Sequence, residues 1–321
     1  AFTGAQVQVM IRAHDIDDGS ETLKLNSAIF GPGFSGGSWM QGGEVLDSFS
    51  LDAGKSVPET LFEQINAFCQ DIPAGGAVGG YIGYEAAAAV MPDLGLPDAP
   101  EGLPLVHLQK FASLELFAPK WGEKPEISSP HLFIDPSADI YSPKVQSVID
   151  AILEGDIFQA NISRHLIAEW AAGEPEAAEL FSLMVSNQTA DYAAFIPMDQ
   201  GAVLSNSPEL FLSIKDGMIA AEPIKGTAPR SSDLITDQKN ARDLQSNEKD
   251  RAENVMIADL LRNDLAKVCE DYSISEPAIC ELRSLKSVHH LYSRIEGRLG
   301  ANKSPIDALV AAFPCGSITG A

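Results

Sequence analysis

The segment from residue 201 to residue 227, GAVLSNSPELFLSIKDGMIAAEPIKGT, constrains the fold more than any other part of the chain. Its short apolar runs are separated by turn residues, and this pattern predicts strand, turn, strand, hairpin and strand. Lys215, Asp216 and Gly217 form the predicted hairpin tip, a three-residue loop in which Gly217 is left-handed and acts as a bulge. Strands joined by such a short loop pair antiparallel. The segment therefore predicts an antiparallel sheet.

Two opposite charges lie at the ends of this hairpin, Glu209 on one arm and Lys225 on the other. With a three-residue tip, Glu209 pairs with Pro223 and Lys225 pairs with Ser207, so both charges share one face of the sheet. With a two-residue tip, the two charges lie on opposite faces. A structural ion pair is one interpretation of these charges, and a catalytic acid beside an amine nucleophile is the other.

The stretch SPKVQSVIDAILEGD predicts a helix in which Ser142 is the N-cap, Pro143 is the first residue and Gly155 ends the helix. Its apolar residues fall on one stripe, which is expected to face the core: Val145, Val148, Ile149, Ile152 and Leu153. The next run, IFQANISRHLIAEW, alternates apolar and polar residues and predicts a strand. Gln159 lies inside this strand, and a polar side chain there is typical of the solvent face.

The stretch NEKDRAENVMIADLLRNDLAKVC predicts a second helix with a carboxylate on its core-facing stripe. Glu253 shares that stripe with Met256, Ile257 and Leu260, and Asp250 lies one turn earlier on the same side. Carboxylates on a buried stripe are costly unless they are paired or bound to a cation, and hard oxygen ligands suit Mg²⁺. The same spacing also fits an exposed edge of a charged helix.

Two further motifs lie near the end of the chain. In SVHHLYSRIEG, the adjacent His289 and His290 fall in a predicted strand, whose alternation lets one of them point inward. A lone inward histidine is more often a satisfied core residue than a ligand. The final CGSITGA does not fit the G-x-S-x-G hydrolase elbow, because Cys315 occupies the first position. It predicts instead an oxyanion-binding turn built from backbone amides.

Charge limits the partners of the chain. The 321 residues include 45 acidic and 22 basic ones, and the net charge of −23 repels nucleic acid and anionic membranes. A negatively charged small substrate would therefore need a metal ion or local amide donors. The four cysteines show no metal-binding spacing, which favours reduced thiols, and the chain contains no apolar run of membrane-spanning length. These features predict a cytoplasmic protein.

The predicted organisation has three parts. Residues 1–120 form an N-terminal layer, in which the glycines of GGAVGGYIGYE serve close strand packing and turns. The segment 121–141 is rich in proline and charge and is the predicted linker. Residues 142–321 form the region that carries the candidate catalytic residues described above. The chain starts without Met and ends at GSITGA without a final helix, so we expect a fragment.

Six motifs follow one another in a recognisable order: GDIFQANISR, SNSPELF, PIKGT, KDRAENVMIADLLRND, SVHHLYS and FPCGSITGA. Their order and spacing resemble those of the chorismate-utilising enzymes. The resemblance is strong over residues 140–321 and extends to the front of the chain through GGYIGYE. It implies an α+β fold with two stacked, mostly antiparallel sheets and outer helices. It also implies that a C-terminal part is missing here, so that the site in this chain is incomplete.

Within the family, the lysine of PIKGT and the FQANISR motif resemble aminodeoxychorismate synthase component I. Anthranilate synthase component I, the next branch, usually has alanine at the position of Lys225. The isochorismate and salicylate branches have a water-activating lysine where this chain has Gln159. Anthranilate synthase component I and a non-catalytic subunit that binds the amidotransferase remain the alternatives.

The resemblance implies a reaction of chorismate with ammonia, which a glutamine amidotransferase subunit delivers, to give 4-amino-4-deoxychorismate for folate synthesis. Lys225 would attack the ring as a neutral amine, and Glu209 would protonate the departing hydroxyl. Glu253, with Asp250 beside it, would hold Mg²⁺. The expected substrate-lining residues are Gln159, Gly226, Thr227, His290 and Ser317.

Overall fold

The computed structural model describes residues 6–12, 27–96, 103–118, 127–134, 138–163, 166–170, 173, 175–199 and 201–320. They form antiparallel sheets and helices, as the α+β prediction requires. The chain divides into two compact units. Unit 1 contains residues 1–147 and 162–208, and unit 2 contains residues 148–161 and 209–321. Unit 1 thus takes in residues from both sides of the predicted linker at 121–141, so the compact units do not follow the predicted order of layer, linker and catalytic region.

Two antiparallel sheets make up most of unit 1. The strands that the structure describes before residue 209 are β1 (Gln6–Arg12), β2 (Ile29–Phe30), β3 (Trp39–Gly42), β4 (Val45–Leu51), β5 (Ala77–Gly83), β6 (Val106–Phe111), β7 (Leu114–Phe117), β8 (Leu132–Ile134), β9 (Ile167–Glu169), β10 (Tyr192–Met198) and β11 (Gly201–Ser207). One sheet has the order β1-β5-β6-β4 and the other β11-β10-β2-β3-β7, while β8 pairs with β9. Helices α1 (Leu61–Phe68) and α3 (Ala177–Asn187) accompany them, and α2 (Ala138–Glu154) runs from unit 1 into unit 2.

The two sheets of unit 1 share one apolar core, to which Phe30 and Ile196 contribute from one sheet and Tyr81 and Phe111 from the other. Glycine allows their close approach. A Cβ added to Gly79 would lie 2.5 Å from the ring of Phe30. The predicted packing role of the GGAVGGYIGYE glycines is thereby confirmed at this position.

Unit 2 is built on one antiparallel sheet. Its strands are β12 (Leu210–Lys215), β13 (Met218–Glu222), β14 (Ile224–Pro229), β15 (Ser275–Ser284) and β16 (Val288–Arg298). Strands β13 and β14 pair with successive parts of one edge of β16, β12 pairs with β13, and β15 also pairs with β16. The helices are α4 (Leu234–Ser246), α5 (Glu248–Ala266), α6 (Pro305–Ala312) and the short α7 (Gly316–Thr319).

Local sequence sets the starts of the unit 2 helices. The side chains of Asp233 and Asn247 accept backbone N–H groups as N-caps of α4 and α5, and Ser304 forms a capping box with Asp307 at α6. Helix α5 packs its buried residues on the sheet, and the shared core includes Ile257 from the helix and Ile295 from β16. Among the helices that the structure describes, none is long and apolar enough to cross a membrane.

The predicted hairpin tip is wrong. Lys215 pairs directly with Met218, so the turn has two residues, and Asp216 and Gly217 are both left-handed with φ of 52° and 76°. Such Asp-Gly turns match the twist of the flanking strands. The bulge lies within β12 instead, and it brings Leu210 opposite Glu222. Glu209 therefore still lies alongside Pro223, whereas Ser207 pairs with Tyr192 in unit 1 and not with Lys225.

The predictions for 142–163 also need correction. Helix α2 begins at Ala138 rather than after Ser142, and Pro143 lies inside it. Proline has no backbone N–H, and the hydrogen bond that is lost would have gone to the carbonyl of Asp139, an exposed residue. Gly155 ends the helix as predicted, with φ of 86°. The predicted core stripe is largely exposed, with Leu153 at 80%. Residues 157–163 form no regular strand, and the strand-like pairing described for them is one isolated bridge between Ala160 and Gly320.

Candidate active site

Ser317 connects the predicted acid and the predicted amine. Its hydroxyl donates a hydrogen bond to Glu209 Oε1 at 2.5 Å, and its backbone carbonyl accepts one from Lys225 Nζ at 2.6 Å. Ser317 is 1% exposed, at the start of α7, while Glu209 precedes β12 and Lys225 lies in β14. The structure therefore brings together three of the residues predicted from sequence, all within unit 2.

Glu209 is held in an environment that favours its protonated form. Burial raises the pKa of its carboxyl group. The hydrogen bonds from the Ser317 hydroxyl and from the Ile224 N–H (3.3 Å), together with the charge of Lys225, oppose this effect without cancelling it. A carboxyl group with a raised pKa is suited to donate a proton to a leaving oxygen.

A β-bulge shapes the strand that carries Lys225. Ile224 pairs with Tyr292 and Thr227 with His290, so Lys225 and Gly226 together face one residue of β16. Gly226 has φ of 89°, and a Cβ added there would lie 3.0 Å from Asp250 Cβ. Glycine is therefore required on both conformational and steric grounds. The bulge also places Asp250 of α5 directly beside the predicted substrate-lining residue Gly226.

His290 and Thr227 form a second contact beside the bulge. Thr227 Oγ1 and His290 Nδ1 are 3.0 Å apart. Burial lowers the pKa of His290, Arg283 adds to this effect, and a hydrogen bond with the Gly226 backbone opposes it. The ring is therefore held in its neutral form, able to donate at one nitrogen and accept at the other.

The expectation that one of the two adjacent histidines points inward is wrong, because both are buried. They lie on opposite faces of β16, and each face is covered. The His289 ring contacts Ser284 Oγ at 2.8 Å and Asp237 Oδ1 of α4 at 3.1 Å. Arg230 also binds Asp237 with two hydrogen bonds of 2.9 Å. His289 thus belongs to a polar network that ties α4 to the sheet.

The buried stripe of α5 differs from the prediction. It consists of Asn254, Ile257, Ala258, Leu261 and Leu265. Glu253 and Asp250 are half-buried at the edge of this stripe, one turn apart, because the amide of Asn254 takes the inward position and donates to the Leu291 carbonyl at 3.1 Å. The prediction that Glu253 lies on the core-facing stripe is therefore wrong, and the polar residue of that stripe is Asn254.

The two edge carboxylates are of the donor type that a hard cation prefers. In the described part of the chain, neither Asp250 nor Glu253 has a side-chain hydrogen bond or an ion pair. Mg²⁺ typically binds through one or two carboxylates and keeps water or substrate ligands at its other positions. No group of three or more His, Cys, Asp or Glu side chains gathers as a metal site among the described residues. Asp250 and Glu253 could thus supply at most two protein ligands to such an ion.

Residues 159–161 lie against the short α7. Ala160 forms an antiparallel bridge with Gly320. Asn161 Nδ2 donates to the carbonyls of Ser317 (3.3 Å) and Ile318 (2.5 Å). Oε1 of Gln159 is buried and has no hydrogen-bond partner among the described residues, so it can accept a hydrogen bond from a bound molecule. Sequence reasoning missed Asn161, although it lies in the quoted motif FQANISR.

Three amides of the terminal turn are not available for the predicted oxyanion binding. The N–H groups of Ile318 and Thr319 donate back to the Cys315 carbonyl, and that of Gly320 donates to the Gly316 carbonyl. These donors are consumed by the helical turn itself. The turn instead offers the Ser317 carbonyl and hydroxyl to the two charged side chains.

Comparisons with known proteins agree with this geometry. The family of chorismate binding enzymes matches residues 108–321. Aminodeoxychorismate synthase component 1 of Klebsiella aerogenes is 40% identical over 185 residues, which are 58% of this chain and 40% of the relative. Anthranilate synthase component 1 of Bacillus subtilis is 34% identical over 178 residues, which are 56% of this chain and 33% of the relative. The alignments thus cover less than half the length of these relatives.

Among solved structures, anthranilate synthase component I from Streptococcus pneumoniae matches with a TM-score of 0.71 at 22% identity. The match covers 88% of this chain and 73% of the solved one. At this identity the likeness concerns the fold alone, and it agrees with the α+β class.

Proposed function

Because the chain belongs to the chorismate-binding enzyme family, we propose that the complete protein converts chorismate and ammonia to 4-amino-4-deoxychorismate. The proposal is supported by relatives named aminodeoxychorismate synthase component 1, one of them 40% identical. The observation that carries it is the Lys225–Ser317–Glu209 arrangement, in which an amine and a carboxyl group with a raised pKa reach one residue.

The reaction replaces the hydroxyl at C4 of the substrate by an amino group. In the first step, the Lys225 lone pair forms a bond to a ring carbon, the ring double bonds shift, and the C4–O bond breaks. Glu209 gives its proton to the departing oxygen, which leaves as water. In the second step, ammonia forms a bond to C4, the double bonds shift back and the Lys225–carbon bond breaks. The ammonium first formed at C4 returns a proton to the Glu209 carboxylate, so one ammonia enters, one water leaves, and atoms, charge and electrons balance.

The neighbouring residues have supporting roles in this proposal. His290 and Thr227 bind substrate oxygens, and the free Oε1 of Gln159 accepts a hydrogen bond from a substrate hydroxyl or from ammonia. Glu253 and Asp250 would hold Mg²⁺, which would offset the charge of the substrate carboxylates in a protein of net charge −23.

We further propose a glutamine amidotransferase as the source of ammonia. A relative's name, component 1, supports a second component. None of the four cysteines has the lowered pKa of a thiol nucleophile, because burial raises the pKa of each, that of Cys315 to about 12 and that of Cys69 to about 11. The four cysteines are free thiols, in keeping with a proposed cytoplasmic setting.

Incubating the complete protein with chorismate, ammonia and Mg²⁺, and identifying the product by mass, tests this proposal. We expect 4-amino-4-deoxychorismate with ammonia and no product with glutamine alone. If the product were anthranilate, the protein would instead have the activity for which the Bacillus subtilis relative is named. No turnover by folded protein would favour a non-catalytic subunit.

A further inference from the structure

The turn that carries Ser317 is fixed from outside by Asn161. The Asn161 side chain donates to the carbonyls of Ser317 and Ile318, and its backbone N–H donates to the Thr319 carbonyl at 3.2 Å. Three successive carbonyls of the turn therefore face one residue. Since α7 has only four residues, these bonds act on nearly its whole length.

The Ser317 carbonyl is shared by two donors. It accepts from Asn161 Nδ2 and from Lys225 Nζ, as the two lone pairs of a carbonyl oxygen allow. An amine that donates one N–H to a fixed acceptor loses free rotation about its terminal C–N bond. In the neutral amine, the lone pair is then confined to the remaining staggered positions.

We propose that Asn161 is a positioning residue that aims the Lys225 amine by holding the Ser317 carbonyl. The inference rests on the proposed function, in which Lys225 is the nucleophile. Asn161 itself touches neither the reacting atoms nor Lys225 in this scheme. Its effect belongs to the geometry of attack, where small displacements of the nucleophile reduce the rate strongly.

The test compares two variants at one position in the complete protein. Asn161→Ala removes the amide, and Asn161→Asp keeps its shape but replaces the donor by an acceptor that faces two carbonyls. With saturating ammonia, we expect kcat to fall about 100-fold in both variants. We expect KM for chorismate to change by less than about threefold, because the residues proposed to bind substrate are unaltered.

Asn206 provides a matched control in unit 1. Its side chain also makes two hydrogen bonds to backbone, donating to the Gln188 carbonyl at 2.7 Å and accepting from the Ala190 N–H at 2.9 Å. Asn206→Ala therefore removes a similar set of bonds, made to Gln188 and Ala190, which have no role in the proposed reaction. We expect its kcat to equal that of the wild type once the folded fraction is taken into account.

A second measurement does not depend on turnover. An amine-acylating reagent labels lysines in the folded protein, and peptide mass spectrometry gives the labelling rate at Lys225. We expect Lys225 to react severalfold faster in Asn161→Ala than in the wild type, because the carbonyl that holds its amine is released. Lys249, an exposed lysine of α5, should react equally in both proteins.

The outcomes separate the inference from the proposed function. An unchanged kcat in Asn161→Ala, or a loss that Asn206→Ala matches, would overturn the positioning role while leaving the amination intact. Unchanged Lys225 labelling would overturn it as well. If the wild type makes no aminodeoxychorismate, the proposed function is refuted. If Lys225 is nevertheless labelled faster in Asn161→Ala than in the wild type, the contact between Asn161 and the Ser317 carbonyl is supported.

Discussion

Replacing Gly226 by alanine adds one methyl group at the bulge that carries Lys225. The left-handed backbone there, with φ of 89°, costs a residue with a Cβ about 1–2 kcal/mol. The new methyl carbon would also lie 3.0 Å from Asp250 Cβ and 3.3 Å from Leu244 Cδ1. Such overpacking typically costs a further 1–3 kcal/mol or so. We therefore expect Gly226→Ala to lower the free energy of unfolding by about 2–5 kcal/mol.

Gly217→Ala isolates the packing part of this cost. Gly217 has a comparable φ of 76°, but nothing lies within 4 Å of a Cβ built there. Its substitution should therefore cost only the backbone strain, about 1–2 kcal/mol. Urea unfolding of the wild type and both variants measures the difference. Equal losses of unfolding free energy in the two variants would refute the claim that Gly226 is packed against Asp250.

Two further predictions concern carboxylates. Burial raises the pKa of Glu209, so the stability that its protonation provides is present below the unfolded pKa and is lost as pH rises through the folded one. In urea unfolding, the free energy of unfolding of Glu209→Gln should therefore rise relative to that of the wild type as pH increases through this window. The amination rate of the variant should fall about 10²–10⁴-fold. A difference in unfolding free energy that does not change with pH would contradict the raised pKa. Glu253→Gln should abolish Mg²⁺-dependent chorismate binding in calorimetry and change the unfolding free energy by less than about 0.5 kcal/mol, since its half-buried side chain is otherwise unpaired. Undiminished binding would place the metal elsewhere.

The family and the succession of strands in residues 201–227 were accessible from sequence, because ordered motifs and turn residues are local signals. The hairpin tip was not assigned correctly, although Asp216-Gly217 is a strong two-residue turn signal. The three-residue tip follows only from the assumption that Glu209 and Lys225 share a face of the sheet. Both side chains do reach Ser317. Their positions do not follow from the length of the tip, because one bulge lies inside β12 and a second lies at Lys225 and Gly226.

Features set by distant parts of the chain could not be predicted. The burial of both His289 and His290 depends on what covers each face of β16, and α4 reaches one of them through Asp237. The inward residue of α5 is Asn254 rather than Glu253, because its amide bonds to the Leu291 carbonyl of β16. Contacts between such separated elements leave no periodic signal in the sequence.

The covalent role of Lys225 is the central claim, and trapping the adduct tests it most directly. The complete protein is mixed with chorismate and Mg²⁺ without ammonia, quenched, digested and examined by mass spectrometry. The account predicts a peptide in which Lys225 carries the mass of chorismate less one water, absent from Lys225→Ala and lost when ammonia is added before the quench. An active enzyme with no adduct on Lys225, and with wild-type turnover in Lys225→Ala, would contradict it.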